Sequence, residues 1–283
     1  MSDSATPKSE RRWYYFALRT LLGPMLLVIS GCGPSEGERA MDVDNQNPVG
    51  LEMKEVGDRS SPVADPGPAA RKAEPAVVEP VPITEEQAIA KIEKLGGMFE
   101  VDEKTPGRPV VAVLLRGTQV TDASLKYLRG LTNLEMLSLF FTHVTDGGLE
   151  HLEGMTNLRT LSLCGTLVTD AGLVHLKELN NLAHLELLGT HVTDAGLEHL
   201  KDMTNLRTLG LPGFRVTDAG LEHLKGLTSL RKLGLDGTEV TDAGLEHLKG
   251  LTNLRELPLY GSQVTDEGVK DLQKALPDCF ISR

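Results

Sequence analysis

The chain repeats itself every 24 residues, and this period constrains the fold more than any other feature. Seven copies run without a gap from Val110, Leu134, Leu158, Leu182, Leu206, Leu230 and Leu254. A fixed period of this length marks a solenoid, in which each unit is one supersecondary element stacked on the next. The Leu158 copy, LRTLSLCGTLVTDAGLVHLKELNN, shows what one unit dictates. Leu161 and Leu163 alternate with Thr160 and Ser162, which is strand spacing with one face in and one face out. Gly165 permits a turn, and Val168 is the next inward residue. Thr169 and Asp170 follow, and either can cap a helix by accepting from free backbone N–H groups. Leu173 and Leu176 share one helix face, which Leu179 continues. A lone strand–turn–helix unit has no second layer over its leucines. Stacked units bury them in one core, with neighbouring strands about 4.8 Å apart. The expected fold class is therefore α/β: a curved parallel sheet of seven strands inside, with short helices outside.

Written as LxxLxLxxTxVTDAGLxxLxxLxN, as in Leu230 to Asn253, the unit resembles the bacterial 24-residue, ribonuclease-inhibitor-like leucine-rich repeat, with Thr where related repeats carry Cys. That Thr stands at Thr118, Thr142, Thr166, Thr190 and Thr238, becomes Ser262 in the last copy and is lost at Phe214. A buried hydroxyl needs a partner, so the ladder is expected to bond to neighbouring backbone. The resemblance covers residues 83 to 283. It implies a solenoid and a binding role, but no particular partner, because such repeats serve many unrelated functions.

Both ends of the array need covering. In residues 83–109, Thr84 and Gln87 make a capping box, and Ile89, Ile92 and Leu95 line one helix face. Gly96 and Gly97 end that helix. Met98 to Val101 reads as a strand, turned through Thr105-Pro106-Gly107 into Val110 to Leu115, a hairpin that shields the first edge of the sheet. At the other end Leu272, Leu276, Phe280 and Ile281 are expected to close the last of the repeats in 110–283, and Pro277 to stop its helix.

The segment before the cap reads differently. Lys8, Arg11, Arg12 and Arg19 precede an apolar run from Leu21 to Gly31 that is shorter than the roughly 20 residues a spanning helix needs. Residues 1–31 are expected to be an export signal. Ile29-Ser30-Gly31-Cys32 resembles the lipobox of bacterial lipoproteins, which implies that the Cys32 thiol takes a diacylglyceryl group and becomes the mature N-terminus. Acyl chains at about 0.8 kcal/mol per buried CH₂ would then anchor the protein. The expected location is the outer face of a cell membrane, or an outer membrane, which Gly33 after the cysteine favours by the same resemblance. Residues 32–82 are rich in proline and acidic side chains and lack apolar periodicity, so they read as a tether reaching roughly 40 Å. The formal net charge of −11 argues against a general nucleic-acid binder.

The repeated polar residues have plain explanations. Asp122, Asp146, Asp170, Asp194, Asp218, Asp242 and Asp266 are read as helix caps. His151, His175, His199, His223 and His247 are read as a solvated convex row, because adjacent repeats are too far apart to share a metal at about 2.0–2.1 Å. Cys164 and His184 lie on neighbouring strands but about 13 Å out of register, too far for a nucleophile and its base. Cys164 and Cys279 are expected to be reduced and packed. The sequence offers no catalytic set, no metal site and no cofactor motif, and it reads as non-catalytic.

Departures from the repeat are more informative. The residue after each strand runs Arg116, Phe140, Cys164, Leu188, Pro212, Asp236, Tyr260. Phe140-Phe141 replaces the usual X-Gly, and Phe214 replaces Thr. Phe140, Phe141, Leu188, Phe214 and Tyr260, with His143, His184, His191 and Arg215 nearby, form a candidate protein-binding rim. The alternative is that Phe214 turns inward to fill the space of the lost Thr and the other departures are neutral. The expectation is a monomer that binds a protein partner; the competing reading is a structural envelope protein that associates with itself.

Overall fold

The computed structural model describes residues 82–283 apart from residue 118. The expected signal 1–31, the lipidation site Cys32 and all but the last residue of the tether lie outside the described residues.

The described chain builds one nine-stranded sheet in sequence order. Its strands are β1 (Met98–Val101), β2 (Val110–Leu114), β3 (Met136–Ser138), β4 (Thr160–Ser162), β5 (His184–Glu186), β6 (Thr208–Gly210), β7 (Lys232–Gly234), β8 (Glu256–Pro258) and β9 (Phe280–Ser282). β1 pairs antiparallel with β2, and every later pairing is parallel. Each repeat makes one circuit, so residues 24 apart are register partners: Leu137 faces Leu161, which faces Leu185, Leu209 and Leu233 in turn. These leucines are fully buried, together with Leu139, Leu163, Val168, Leu173, Leu176 and Leu179, in one continuous core that their counterparts extend, with Val269 and Ala275 of the last repeat only partly buried.

The parallel part holds eight strands rather than seven. Phe280 and Ile281 do not simply plug the last repeat; they form β9 beside β8. Ile281 packs on the core while Phe280 turns its ring to solvent. Strand alternation requires this, since Ile281 is in register with the buried Leu257 and Phe280 is one residue out of phase. At the other end, helix Glu85–Lys94 has the expected capping box, with the Gln87 amide donating to Thr84 Oγ1 at 3.3 Å. Ala88 and Ile92 bury against the first repeat, and Glu85 accepts from the Val110 amide at 2.6 Å.

The aspartate row is not a row of caps. Thr145, Thr169, Thr193, Thr217 and Thr241 hold the N-cap positions, and the aspartate that follows each is the first helical residue. Its carboxylate reaches the next repeat. Asp146 accepts from the Thr169 amide at 2.7 Å with one oxygen and from the Thr169 hydroxyl at 2.7 Å with the other. Asp122, Asp170, Asp194, Asp218 and Asp242 do the same to Thr145, Thr193, Thr217, Thr241 and Thr265. A carboxylate near the free N–H groups of the next helix satisfies orphan donors there. This arrangement also explains the glycine of the Val-Thr-Asp-Ala-Gly-Leu motif: a Cβ on Gly172 would lie 2.5 Å from Asp146 Oδ1. The first repeat has no preceding aspartate. It carries Ser124 in place of that glycine, and the Ser124 hydroxyl accepts from the Thr121 amide at 3.4 Å. The last aspartate of the row, Asp266, pairs with Arg283 instead.

Candidate functional site

The side of the sheet away from the core carries two lines of residues, and the turns after the strands form a rim beside it. Along the rim, Phe140, Leu188, Phe214 and Tyr260 come from the second, fourth, fifth and seventh repeats. Phe140 and Phe214 are three repeats apart, roughly 14 Å at strand spacing, and Tyr260 lies about 10 Å beyond. Phe141 is 60% exposed, Phe214 83% and Tyr260 57%. Phe214 therefore does not fill the place of the lost threonine. Thr142, Thr166, Thr190 and Thr238 donate to the carbonyl three residues earlier in their own repeat, as Thr166 does to Leu163 at 2.7 Å and Thr190 to Leu187 at 2.7 Å. Without that hydroxyl, the turn at Phe214 is rebuilt, with the Arg215 and Val216 amides donating to the Gly213 carbonyl at 2.6 and 3.2 Å. The ring is left outside.

Phe141 occupies the turn position that Gly165, Gly189, Gly237 and Gly261 fill elsewhere, and it adopts their left-handed backbone at φ +53°. This region disfavours a side chain with a Cβ. The ring lies over Gly165, where an added Cβ would come within 2.7 Å of it, and it meets Phe140 edge to face with centroids 4.6 Å apart. Phe140 and Leu188 are half-buried, while His143, His191 and Arg215 are exposed. The Tyr260 amide donates to Asp236 Oδ1 at 2.9 Å, which ties the end of the rim to the preceding repeat.

His184 does not join the rim. It lies at the start of β5, in register with Thr160 and Thr208, and its Nδ1 is 3.0 Å from the Thr208 hydroxyl. Cys164 lies at the other end of the neighbouring strand, and burial pushes its thiol up to about 11 while the Ser162 hydroxyl works against this. A protonated thiol about 13 Å from an imidazole is not a nucleophile with its base.

The residue that sequence reasoning missed is Glu186. It ends β5 on the outward side of the sheet, in register with Ser162 before it and Gly210 after it. Burial raises its carboxyl to about 7, against the opposing charge of Lys232. Lys232 forms an ion pair with Glu256 at 3.0 Å. The available signal was the column itself: Ser138, Ser162, Glu186, Gly210, Gly234 places one charge among small residues.

The histidine row is half-buried rather than solvated. His175 Nδ1 lies 2.6 Å from Glu153 of the preceding repeat. His151 Nδ1 is buried without a partner, and burial, helped by the charge of Arg129, lowers its pKa. Among the described residues no three His, Cys, Asp or Glu side chains group as metal ligands, and no helix is long and apolar enough to cross a membrane.

No protein-family model and no curated protein matches the chain. Among solved structures, an internalin (inlF) from Listeria monocytogenes superposes with a TM-score of 0.53 at 23% identity, covering 74% of this chain and 59% of that one. The fold is a leucine-rich repeat solenoid. An internalin C2 from the same organism matches at 23% identity over 74% of this chain and 100% of its own, with a TM-score of 0.46. The solenoid described here spans somewhat more than half the length of the first of these internalins, and the likeness is one of fold alone.

Proposed function

We propose that this chain is a lipid-anchored, extracytoplasmic leucine-rich repeat protein that binds a protein partner, without catalysis, through its aromatic rim and the adjoining face of the sheet. The observation that carries this reading is the exposure of Phe141, Phe214 and Tyr260 on one rim, where Phe141 and Phe214 stand at positions that the other copies fill with glycine and with threonine or serine. Aromatic side chains with an adjacent arginine, here Arg215, suit the centre of a protein interface. The left-handed backbone at Phe141 points the same way, since local strain collects where a side chain is needed for function. The protonated Cys164 thiol and the engagement of His184 with Thr208 support a non-catalytic role. Cys32 and the segment before it supply the anchor, and residues 32–82 the reach.

The test is a crosslinking capture from the protein's own cells. The full-length wild type is compared with a variant carrying Phe140→Ser, Phe141→Ser and Phe214→Ser. One envelope protein captured by the wild type and lost by the variant is the expected result. Equal capture by both refutes the rim, and capture of the chain by itself alone favours a self-associating structural protein.

A further inference from the structure

We infer that the strand-entry edge of the sheet, opposite the aromatic rim, carries an arginine column that docks a short run of aspartate or glutamate side chains on the protein partner; this rests on the reading of the chain as a protein-binding solenoid. Arg159, Arg207, Arg231 and Arg255 hold the second position of the third, fifth, sixth and seventh repeats, where the second and fourth repeats carry Glu135 and Ala183. All four arginines are exposed. They lie on one line across the repeats. The Ala183 amide donates to the Arg159 carbonyl at 2.8 Å, the Arg207 amide to that of Ala183 at 2.7 Å, the Arg231 amide to that of Arg207 at 2.8 Å and the Arg255 amide to that of Arg231 at 2.8 Å. Each step is one strand spacing of about 4.8 Å, so the line is roughly 19 Å long, and Arg207, Arg231 and Arg255 stand on consecutive rungs. The rim residues follow the strands, roughly 16 Å away along each one.

Like charges on adjacent rungs repel, so the column works against folding. Where an acid stands beside an arginine in this column the two pair, as Arg159 Nε does with Glu135 at 3.8 Å. The column gives Arg231 and Arg255 no such neighbour. Arg231 lies between Arg207 and Arg255, and the residue one repeat beyond Arg255 is Cys279. Arg255 Nη1 donates to the Thr252 and Leu254 carbonyls at 3.1 and 3.0 Å, which fixes the guanidinium in place. Those bonds use two of its five N–H donors. Lys232 adds a further positive charge beside Arg231, and Glu256 meets it at 3.0 Å. The lysines at the helix ends differ, since each pairs with an acid of its own repeat: Lys201 with Glu198, Lys225 with Glu222 and Lys249 with Glu246.

A line of guanidinium forks fits carboxylates, each of which a fork takes through two parallel N–H···O bonds. Side chains on one face of an extended segment recur about every 6.7 Å, so two or three acids of such a segment spread over the roughly 10 Å from Arg207 to Arg255. A narrow segment fits better than a broad anionic surface such as a layer of lipid headgroups. The loops entering the repeats of Ala183 and Arg207 carry the exposed acids Glu178 and Asp202, which a flat negative surface would meet together with the arginines. A segment laid along Arg231 and Arg255 passes loops whose corresponding residues are Gly226 and Gly250.

The experiment titrates the full-length chain into fluorescently labelled peptides of glycine and serine that carry three alternate aspartates, asparagines or lysines, read by anisotropy at about 50 mM salt, where exposed charges are little screened. The wild type is expected to bind the aspartate peptide at least about ten-fold more tightly than the asparagine peptide, and the lysine peptide no better than the asparagine peptide. The double variant Arg231→Gln, Arg255→Gln should lose this preference, and Lys225→Gln should keep it. Arg231→Gln alone should hold or raise the melting temperature, because it relieves like-charge repulsion; a fall of several degrees would make the column structural and overturn the inference. No preference for aspartate, or a preference kept by the double variant, also overturns it. A sulfated oligosaccharide of equal charge should bind no more tightly than the aspartate peptide, and retention on phosphatidylglycerol over phosphatidylcholine nanodiscs should be the same for wild type and double variant. Tighter oligosaccharide binding, or nanodisc retention lost in the double variant, assigns the column to an anionic polymer or a lipid surface and overturns the protein segment. The triple phenylalanine variant should keep the aspartate preference. Failure here therefore leaves the rim standing, and failure of the rim in the cellular capture leaves this column standing.

Discussion

Replacing Gly172 by alanine tests the stitch between repeats. Gly172 has no positive φ, so alanine by itself should stabilise by about 0.4–1 kcal/mol through the unfolded chain. The structure predicts the opposite. The new Cβ would lie 2.5 Å from Asp146 Oδ1, with Leu149 and Val168 methyls at 3.1 Å closing the other sides. The carboxylate must move, and it then loses the 2.7 Å bonds from the Thr169 amide and hydroxyl. Hydrogen bonds to a charged group contribute about 1.5–3 kcal/mol each, and water recovers part of that at this half-exposed site. A net loss of about 2 kcal/mol is expected for Gly172→Ala. Asp146→Ala should cost a similar amount, about 2–3 kcal/mol. In the double variant the clash has no partner, so Gly172→Ala should then be neutral or stabilising by up to about 1 kcal/mol. Urea unfolding of the four proteins closes the cycle, with an expected coupling of about 2–3 kcal/mol. Additive losses would refute the idea that the glycine is there to make room for the carboxylate.

Other changes follow from the same geometry. The folded Glu186 carboxyl titrates near 7, above its ordinary 4.5, so between these values the folded state holds a proton that the unfolded chain has released. Stability from that proton is complete below pH 4.5 and is lost as pH rises through 7, by up to about 3 kcal/mol. Glu186→Gln should accordingly raise the melting temperature at pH 8.5 and leave it nearly unchanged at pH 4. Phe141→Gly should remove partner capture while changing unfolding free energy by less than about 1 kcal/mol, because relief of the left-handed backbone offsets lost ring contacts; a loss above about 2 kcal/mol would make the ring structural. His151→Leu should be neutral or stabilise by about 1 kcal/mol, since it removes a buried ring nitrogen without a partner. Cys32→Ser should abolish incorporation of an alkyne-labelled fatty acid and release the protein from the membrane fraction. Persistent labelling would place the lipid elsewhere.

Much of the fold was legible because the repeat states it seven times. The positions of Leu137, Leu161, Leu185 and Leu209 in one buried line follow from a period that returns the same residue to the same register. The capping box at Thr84 and Gln87 was equally readable, since it is a contact between residues three apart. Local patterns of this kind are fixed by neighbours along the chain. The aspartate row was misread as capping for the converse reason. Its partners are 23 residues away, and nothing in a single unit distinguishes a carboxylate that caps its own helix from one that bonds to the next.

The sequence alone determined that a solenoid forms, where it begins, and which residues line its core, because burial of periodic leucines admits no other stacking. It also marked Phe140, Phe141, Phe214 and Tyr260 as departures from the pattern. Whether those rings turn inward or outward, whether His184 belongs with them, and how deeply the Glu186 carboxyl is buried were decided only by the tertiary structure. Each depends on the space that adjacent repeats leave: the rebuilt turn at Gly213 sends Phe214 out, and the register of β5 places His184 at the opposite end of its strand from the rim. Burial of the Glu186 carboxyl arises from neighbours contributed by several strands. A one-dimensional pattern records which side of a strand a residue takes, but not how much water the assembled neighbours leave around it.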